Sequence, residues 1–150
     1  MAFHGQHEHS LDSKERLTIP ARFRAALADG VILVKGLDPC VEVYPLQEFA
    51  RFEERDMADF SSFSRDQRRM RRRVYAHSVD EKLDSAGRIR LPSHLIEHAG
   101  LKGPCVVVGA GEHLEIWNPG SWGSEDAEVD AHANEIAEGL GGGNGGAPES

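Results

Sequence analysis

The most specific catalytic pattern in the sequence is His94-x-x-Glu97-His98, which matches the His-x-x-Glu-His signature of inverzincin metalloproteases. On a helix this spacing places both imidazoles on one face beside a glutamate, the arrangement that zinc-assisted hydrolysis requires. The segment is brief, because Gly100 ends it, and a five-residue match in 150 residues is weak evidence. We therefore expect no catalytic role, no enzyme activity and no metal site here.

Other cofactor and redox patterns give no support for an enzyme. Cys40 and Cys105 lie far apart beside apolar runs and lack CxxC spacing, so both are interpreted as reduced core thiols. The sequence has no P-loop, no GxGxxG and no Ser/His/Asp order. We expect no cofactor.

Two short segments with basic residues are the remaining candidates for a functional site. Residues 12–16 read Asp-Ser-Lys-Glu-Arg, and residues 84–88 read Asp-Ser-Ala-Gly-Arg. Such Asp and Ser side chains can simply satisfy the backbone of a turn, with the arginine solvated on a strand. Arginine and lysine on two related turns can instead contact phosphates and the edges of a DNA groove. The recurrence of the pattern, with outward bases near both copies, favours the second interpretation.

Both turns belong to an internal repeat. Residues 12–23 match residues 84–95 at an offset of 72, and residues 41–44 match residues 114–117 at an offset of 73. Two copies are too few for a solenoid, so we expect a pseudo-symmetric pair that shares one core.

Each copy is predicted to contain a strand, a tight turn, a strand, a short helix and two more strands. Alternation after the turns places Leu17 and Ile89 inward and Arg16 and Arg88 outward. Pro20 begins the helix of the first copy, and Pro92 has the same position in the second. The predicted first strands cover residues 6–11 and 77–83, and buried strands cover residues 31–35 and 105–108. This pattern indicates a largely antiparallel sheet.

Two helices are predicted between the copies. The first has an imperfect apolar face that includes Phe49, Met57 and Phe60. Ser64 caps the second, with Gln67 in the capping-box position. The second helix carries six arginines: Arg65, Arg68, Arg69, Arg71, Arg72 and Arg73. We interpret them as partners of the preceding acidic helix or as a solvated face, and exclude them from the nucleic-acid site.

The net charge of -8 is unevenly distributed along the chain. Seven acidic residues and no Lys or Arg follow Asn118, which leaves a nearly neutral body of 17 basic and 18 acidic residues. Any nucleic-acid site must therefore be local. The tail has a short amphipathic pattern and then a glycine-rich end, and it is predicted to be largely disordered. Since no apolar run of about 18 residues and no signal peptide is present, we expect a cytoplasmic protein without a membrane span.

The sequence resembles the MraZ family, which contains two SpoVT/AbrB-type modules. The resemblance rests on Phe3-His4-Gly5, on the two Asp-x-x-x-Arg turns with their apolar-x-apolar-Pro steps, and on the strand ends at Tyr44-Pro45 and Trp117. The resemblance implies a bacterial transcriptional regulator that is associated with the nucleoid. It also implies that the protein forms a ring-shaped oligomer, which binds short direct repeats in the promoter of the division and cell-wall gene cluster. Two positions depart from the family pattern: Glu15 replaces glycine, and His4 replaces a commonly basic residue.

These observations lead to one set of predictions. The fold is α+β and mainly antiparallel, a pseudo-symmetric AbrB/MraZ-like β-barrel built from two modules with helices. The modules cover residues 6–49 and 77–122, a helical connector covers residues 50–76, and the acidic tail covers residues 123–150. The protein is a homo-oligomeric regulator of double-stranded DNA, more a repressor than an activator. The alternative is an AbrB-like antitoxin module that binds a partner protein through its acidic tail. The predicted DNA-binding residues are Lys14, Arg16, Arg88 and Arg90, and the turn-bracing residues are Asp12, Asp84 and Gly87.

Overall fold

The computed structural model describes residues 2–59 and 61–144, and the chain divides between Pro119 and Gly120 into two compact units. The strands are β1 (Gln6–Ser10), β2 (Arg16–Thr18), β3 (Val31–Lys35), β4 (Cys40–Pro45), β5 (Val79–Glu81), β6 (Arg88–Arg90), β7 (Pro104–Gly109) and β8 (Leu114–Trp117). The helices are α1 (Leu46–Phe52), α2 (Arg65–His77), α3 (Ser93–Ala99), α4 (Pro119–Ala131) and α5 (Ala133–Asn144). No described helix is long and apolar enough to cross a membrane.

The strands of the first unit interlock the two copies of the repeat. The larger sheet has the order β1-β7-β8-β4-β3-β5, while β2 and β6 form a separate two-stranded ribbon. All of these ladders are antiparallel. Four ladders join one copy to the other: β1 with β7, β2 with β6, β3 with β5, and β4 with β8. The predicted α+β, mainly antiparallel fold is confirmed.

The core lies between the inner faces of the sheet and of the ribbon. Leu17 and Ile89 face each other across the ribbon and are fully buried, as are Leu33, Val43 and Ile116 of the sheet. Burial of each such side chain is worth about 1.5 to 3 kcal/mol. The alternation of the two strands after the turns therefore fixes their outward face, because a shift by one residue would expose the core positions.

The amino-terminal segment is held by a close backbone approach. Phe3 is 1% exposed, and its N–H donates to the carbonyl of Gly111 at 2.7 Å. The N–H of Gly109 donates to the carbonyl of Gly5, also at 2.7 Å. A Cβ atom at Gly109 would lie 2.5 Å from the backbone nitrogen of His4. Only glycine fits at Gly109 without moving this segment.

The helices differ from expectation in three places. The helix after Pro20 consists of two short 3₁₀ turns, Ala21–Phe23 and Ala25–Leu27, held by i to i+3 hydrogen bonds. The first connecting helix passes into a π-helical turn (Glu53–Met57), and its predicted apolar residue Phe60 lies outside the described residues. The strand predicted from residue 77 starts later, because α2 continues to His77.

The second unit also differs from the prediction. Residues 123–144, predicted to be largely disordered, form α4 and α5, since alanine and glutamate support helix before the glycine-rich end. Residues 145–150 lie outside the described residues. Val129, Ile136 and Leu140 remain exposed, which fits the weakly apolar pattern read from the sequence.

Candidate nucleic-acid interface

The first basic turn is organised around Asp12. One carboxylate oxygen, Oδ1, accepts the backbone N–H groups of Lys14 at 2.8 Å and Arg16 at 2.9 Å. The other oxygen, Oδ2, accepts Nε–H of Arg16 at 2.8 Å. The hydrogen bond from the Arg16 backbone is the largest cause that holds the pKa of Asp12 below its ordinary value. Asp12 is therefore ionised at neutral pH and braces the turn.

The second turn repeats this arrangement atom for atom. Asp84 Oδ1 accepts the backbone N–H groups of Ala86 and Arg88, and Oδ2 accepts Nε–H of Arg88 at 2.8 Å. The Arg88 backbone bond is again the largest cause that lowers the pKa of the carboxyl. The geometry is that expected of turn-bracing aspartates.

The two turns also share a left-handed backbone residue. Gly87 has φ of 77°, and Glu15 has φ of 61° at the equivalent position. The departure from glycine has therefore not changed the turn type. Glu15 bears the conformational cost of about 1 to 2 kcal/mol that a non-glycine residue has in this region.

Replacement of Glu15 by glycine is expected to raise thermal stability and to tighten DNA binding. Removal of the left-handed strain raises the melting temperature by roughly 2 to 4 °C for each kcal/mol gained, and loss of the carboxylate beside Lys14 and Arg16 favours phosphate contact. Gly87→Glu should lower both quantities. Differential scanning fluorimetry and fluorescence anisotropy measure them.

Glu15→Ala is the control that separates strain from charge. It keeps the left-handed strain but removes the carboxylate, so DNA binding should tighten without the stability gain. If Glu15→Gly is neutral or harmful in both assays, Glu15 neither strains the first turn nor opposes DNA there, and the first copy of the site is wrong.

The ribbon gathers the basic residues of both turns on one outward face. Arg16 lies opposite Arg90, and Arg88 lies opposite Thr18, while the intervening Leu17–Ile89 pair points into the core. Arg90 and Lys14 are exposed, and the side chains of Arg16 and Arg88 retain 28% and 32% exposure. The ion pairs with aspartate use Nε–H of the two arginines, and each guanidinium carries four further N–H donors.

A fourth arginine beside the ribbon was not predicted from the sequence. Arg24 donates Nε–H to the carbonyl of Ile19 at 2.9 Å and lies directly against Gly87. Its repeat partner at the offset of 72 is Ile96. The sequence signal that could have indicated a role for Arg24 is this difference between the copies, since the first copy has a cation where the second copy has an apolar residue.

The arginine-rich helix α2 forms a partly solvated face. Arg73 donates to the carbonyls of Lys35 at 3.2 Å and Gly36 at 2.8 Å, which ties α2 to β3. Arg69 forms an ion pair with Asp66, and both residues belong to α2. No ion pair between α2 and the preceding acidic segment occurs in the described residues. Ser64 Oγ caps α2, whereas Gln67 accepts from the Ser61 backbone rather than from Ser64.

The His-x-x-Glu-His histidines are turned towards different backbone carbonyls. His94 Nε2 donates to His77 at 3.1 Å, and His98 Nε2 donates to Asp38 at 3.0 Å. These bonds tie α3 to the end of α2 and to the loop before β4. Nε2 of each histidine thus has a structural partner, and metal binding through these two atoms would require breaking both bonds.

A second group of metal-ligand side chains lies on the outer face of the sheet. Among the described residues, Cys40, Glu42 and Glu115 place one potential ligand atom each within 4.8 Å of one another. Burial raises the pKa of the Cys40 thiol far above its usual range, and both carboxylates raise it further. Glu115 already accepts from Trp117 at 2.9 Å and from His113 at 3.1 Å. The group is therefore a weak metal donor set.

Zinc should not be retained at either group. After dialysis against buffer without chelator, elemental analysis is expected to find less than stoichiometric zinc, and His98→Ala should leave that content and DNA binding nearly unchanged. One tightly held zinc per chain, lost on His98→Ala, would revive the hydrolase hypothesis.

The fold and the surface together define a class of protein: two interlocked copies of one β-module that present paired, aspartate-braced basic turns on a shared ribbon. Comparison with known families places the chain more narrowly. Residues 2–73 and 74–138 each match the family described as "MraZ protein, putative antitoxin-like".

Individual relatives agree with this match over nearly the whole chain. "Transcriptional regulator MraZ" of Pediococcus pentosaceus is 40% identical over 138 residues, 92% of this chain and 96% of its own. The proteins of the same name from Limosilactobacillus fermentum and Alkaliphilus metalliredigens are 36% and 38% identical, covering 93% and 90% of this chain and 97% and 94% of their own. The chain belongs to the MraZ family.

Proposed function

We propose that this chain is a sequence-specific DNA-binding transcriptional regulator that acts as a repressor. The observation that carries the proposal is the β2·β6 ribbon, which places Arg16, Arg88 and Arg90 on one outward face. The names of the relatives, all transcriptional regulators, agree with it.

The ribbon has the two-stranded architecture and the chemistry that a DNA groove accepts. The major groove admits a two-stranded β-ribbon, and arginine contacts either phosphates or base edges there. Asp12 and Asp84 order the turns in the free protein through their hydrogen bonds, so less conformational entropy is lost on binding. The outward face of the ribbon is basic although the whole chain has a net charge of -8, so the acidic composition does not exclude DNA binding at this face.

One ribbon makes few contacts, so affinity requires several copies. A ring-shaped homo-oligomer would present its ribbons to short direct repeats of one promoter, and effective concentration would multiply the weak individual contacts. By resemblance to the family, that promoter is the one of the division and cell-wall gene cluster. The protein then works in the cytoplasm on the nucleoid, without catalysis of its own.

Two measurements test this function. Native mass spectrometry gives the number of chains per particle, and anisotropy titration gives the affinity for DNA upstream of the protein's own gene cluster against a shuffled sequence. We expect an oligomer with a preference for the first DNA. A monomer that is indifferent to that DNA contradicts the proposal.

An antitoxin-like partner-binding role is the alternative, and the description of the matching family favours it. In that case the acidic second unit binds a partner protein, and the ribbon is secondary. Deletion of residues 120–150 distinguishes the two roles. The regulator keeps its DNA preference after this deletion, whereas the antitoxin loses its partner.

A further inference from the structure

The second turn has a support that the first turn lacks. Arg24 donates Nε–H to the carbonyl of Ile19 at 2.9 Å, and the N–H of Ile19 donates to the carbonyl of Gly87, also at 2.9 Å. A residue of the first copy is thus connected through one strand end to the turn of the second copy. The turn concerned is the one that carries Arg88.

Arg24 also occupies the space above Gly87. A Cβ atom at Gly87 would lie 2.4 Å from Arg24 Nε and 2.5 Å from Cζ. Two features therefore favour glycine at position 87, its φ of 77° and the guanidinium that covers it. The flat guanidinium lies against the glycine backbone and limits the positions that this turn can adopt.

The first turn differs at both of these positions. Glu15 carries a Cβ where Gly87 has none, and the repeat position of Arg24 is Ile96, whose side chain packs against the core. The backbone bond is preserved, because the N–H of Leu91 donates to the carbonyl of Glu15 at 2.9 Å. The two differences between the turns are related. In the part of the chain that the structure describes, the first turn has no arginine above it, so it tolerates the side chain of Glu15 at its left-handed residue.

We propose that Arg24 is a positioning residue of the DNA site, which holds the Asp84–Arg88 turn in its binding geometry through Ile19 and Gly87. This inference rests on the proposed function and deepens it. It makes the two turns unequal: the second turn is held by Asp84 and by Arg24, whereas the first turn has its Asp12 and backbone bonds but no such arginine among the described residues. Arg24 acts through Arg88 and contacts no phosphate itself.

Arg24→Ala should weaken operator binding by roughly tenfold, the usual effect of losing one charge-assisted hydrogen bond. The slope of log affinity against log salt should stay at the wild-type value, because a positioning residue releases no counterions, whereas loss of a phosphate-contacting residue flattens that slope by about one contact. Arg22→Ala is the matched control. Arg22 is exposed and lies over the Phe23 ring at 5.2 Å, so the control removes the same charge two residues away and should bind as wild type.

A double-mutant cycle tests the packing without DNA. Gly87→Ala should lower the melting temperature of the wild-type chain, and the loss should shrink to about half in the Arg24→Ala background, because the three atoms nearest to the new Cβ all belong to the Arg24 side chain. Equal losses in the two backgrounds would overturn the proposed support of the turn.

The DNA measurements separate this inference from the proposed function. If wild type shows no preference for its operator, the proposed function fails, and the positioning role fails with it. If wild type binds and Arg24→Ala binds equally well, the positioning role alone is wrong. A salt slope that flattens by about one contact would make Arg24 a direct phosphate contact and also overturn the positioning role.

Discussion

The variants Arg16→Ala and Arg88→Ala are each expected to lose about 1 to 3 kcal/mol of operator affinity, and the double variant is expected to lose more than either. Both side chains lie on the outward face of the ribbon immediately after a turn. If an arginine contacts a base edge, its loss relaxes specificity at that base pair. If it contacts phosphate, affinity falls for all sequences and the salt slope flattens by about one contact per site.

These arginines also pair with aspartates at 2.8 Å, so the experiment needs controls for structure and charge. Circular dichroism and melting temperature should show that the double variant keeps its fold, since the backbone bonds to Asp12 and Asp84 remain. Arg65→Ala/Arg69→Ala removes two charges from the exposed face of α2 and should leave binding unchanged. Unchanged binding by the Arg16→Ala/Arg88→Ala variant would exclude both residues from the site.

Gly109→Ala is expected to be the most destabilising methyl addition in the first unit. The new Cβ would lie 2.5 Å from His4 N and 2.6 Å from the Phe3 carbonyl carbon, both of them backbone atoms that cannot rotate away. Overpacking costs about 1 to 3 kcal/mol, and displacement of the buried Phe3 ring adds to it. Urea unfolding should show the loss as a lower midpoint with little change in slope.

Gly123→Ala is the matched control for this prediction. A Cβ at Gly123 has no neighbour within 4 Å, and the residue lies inside α4, where alanine is favoured over glycine by about 1 kcal/mol. The control should therefore be neutral or slightly stabilising. If Gly109→Ala unfolds at the wild-type midpoint, the amino-terminal segment does not lie across this glycine in solution.

Local patterns in the sequence were sufficient for the ribbon. The alternation around Leu17 and Ile89 fixed which side chains face the core, and the aspartate four residues before each arginine indicated a braced turn. The repeat, visible as a constant offset, indicated that the two turns are related. Each of these features depends on residues within a few positions of one another, where side-chain periodicity and turn chemistry decide the structure.

Long-range features were not accessible in the same way. Nothing local to Arg24 indicates that its guanidinium covers Gly87, because the two residues meet only after β2 pairs with β6. The same holds for Gly109 and His4, which the pairing of β1 with β7 brings together. The helices of residues 123–144 were missed for another reason, since an acidic composition without a strong apolar face resembles that of a disordered chain.

The exchange of strands between the copies has a consequence for how the protein is made. β1 leaves the ribosome long before β7, and β2 long before β6, so the first copy emerges with strands whose pairing partners have not been synthesised. Such a topology has high contact order, and loop closure delays its folding. The half-made chain exposes unpaired strand edges, which are templates for pairing with another nascent chain on the same messenger RNA. We therefore expect slow translation through residues 77–117 to lengthen the time for which those edges stay unpaired.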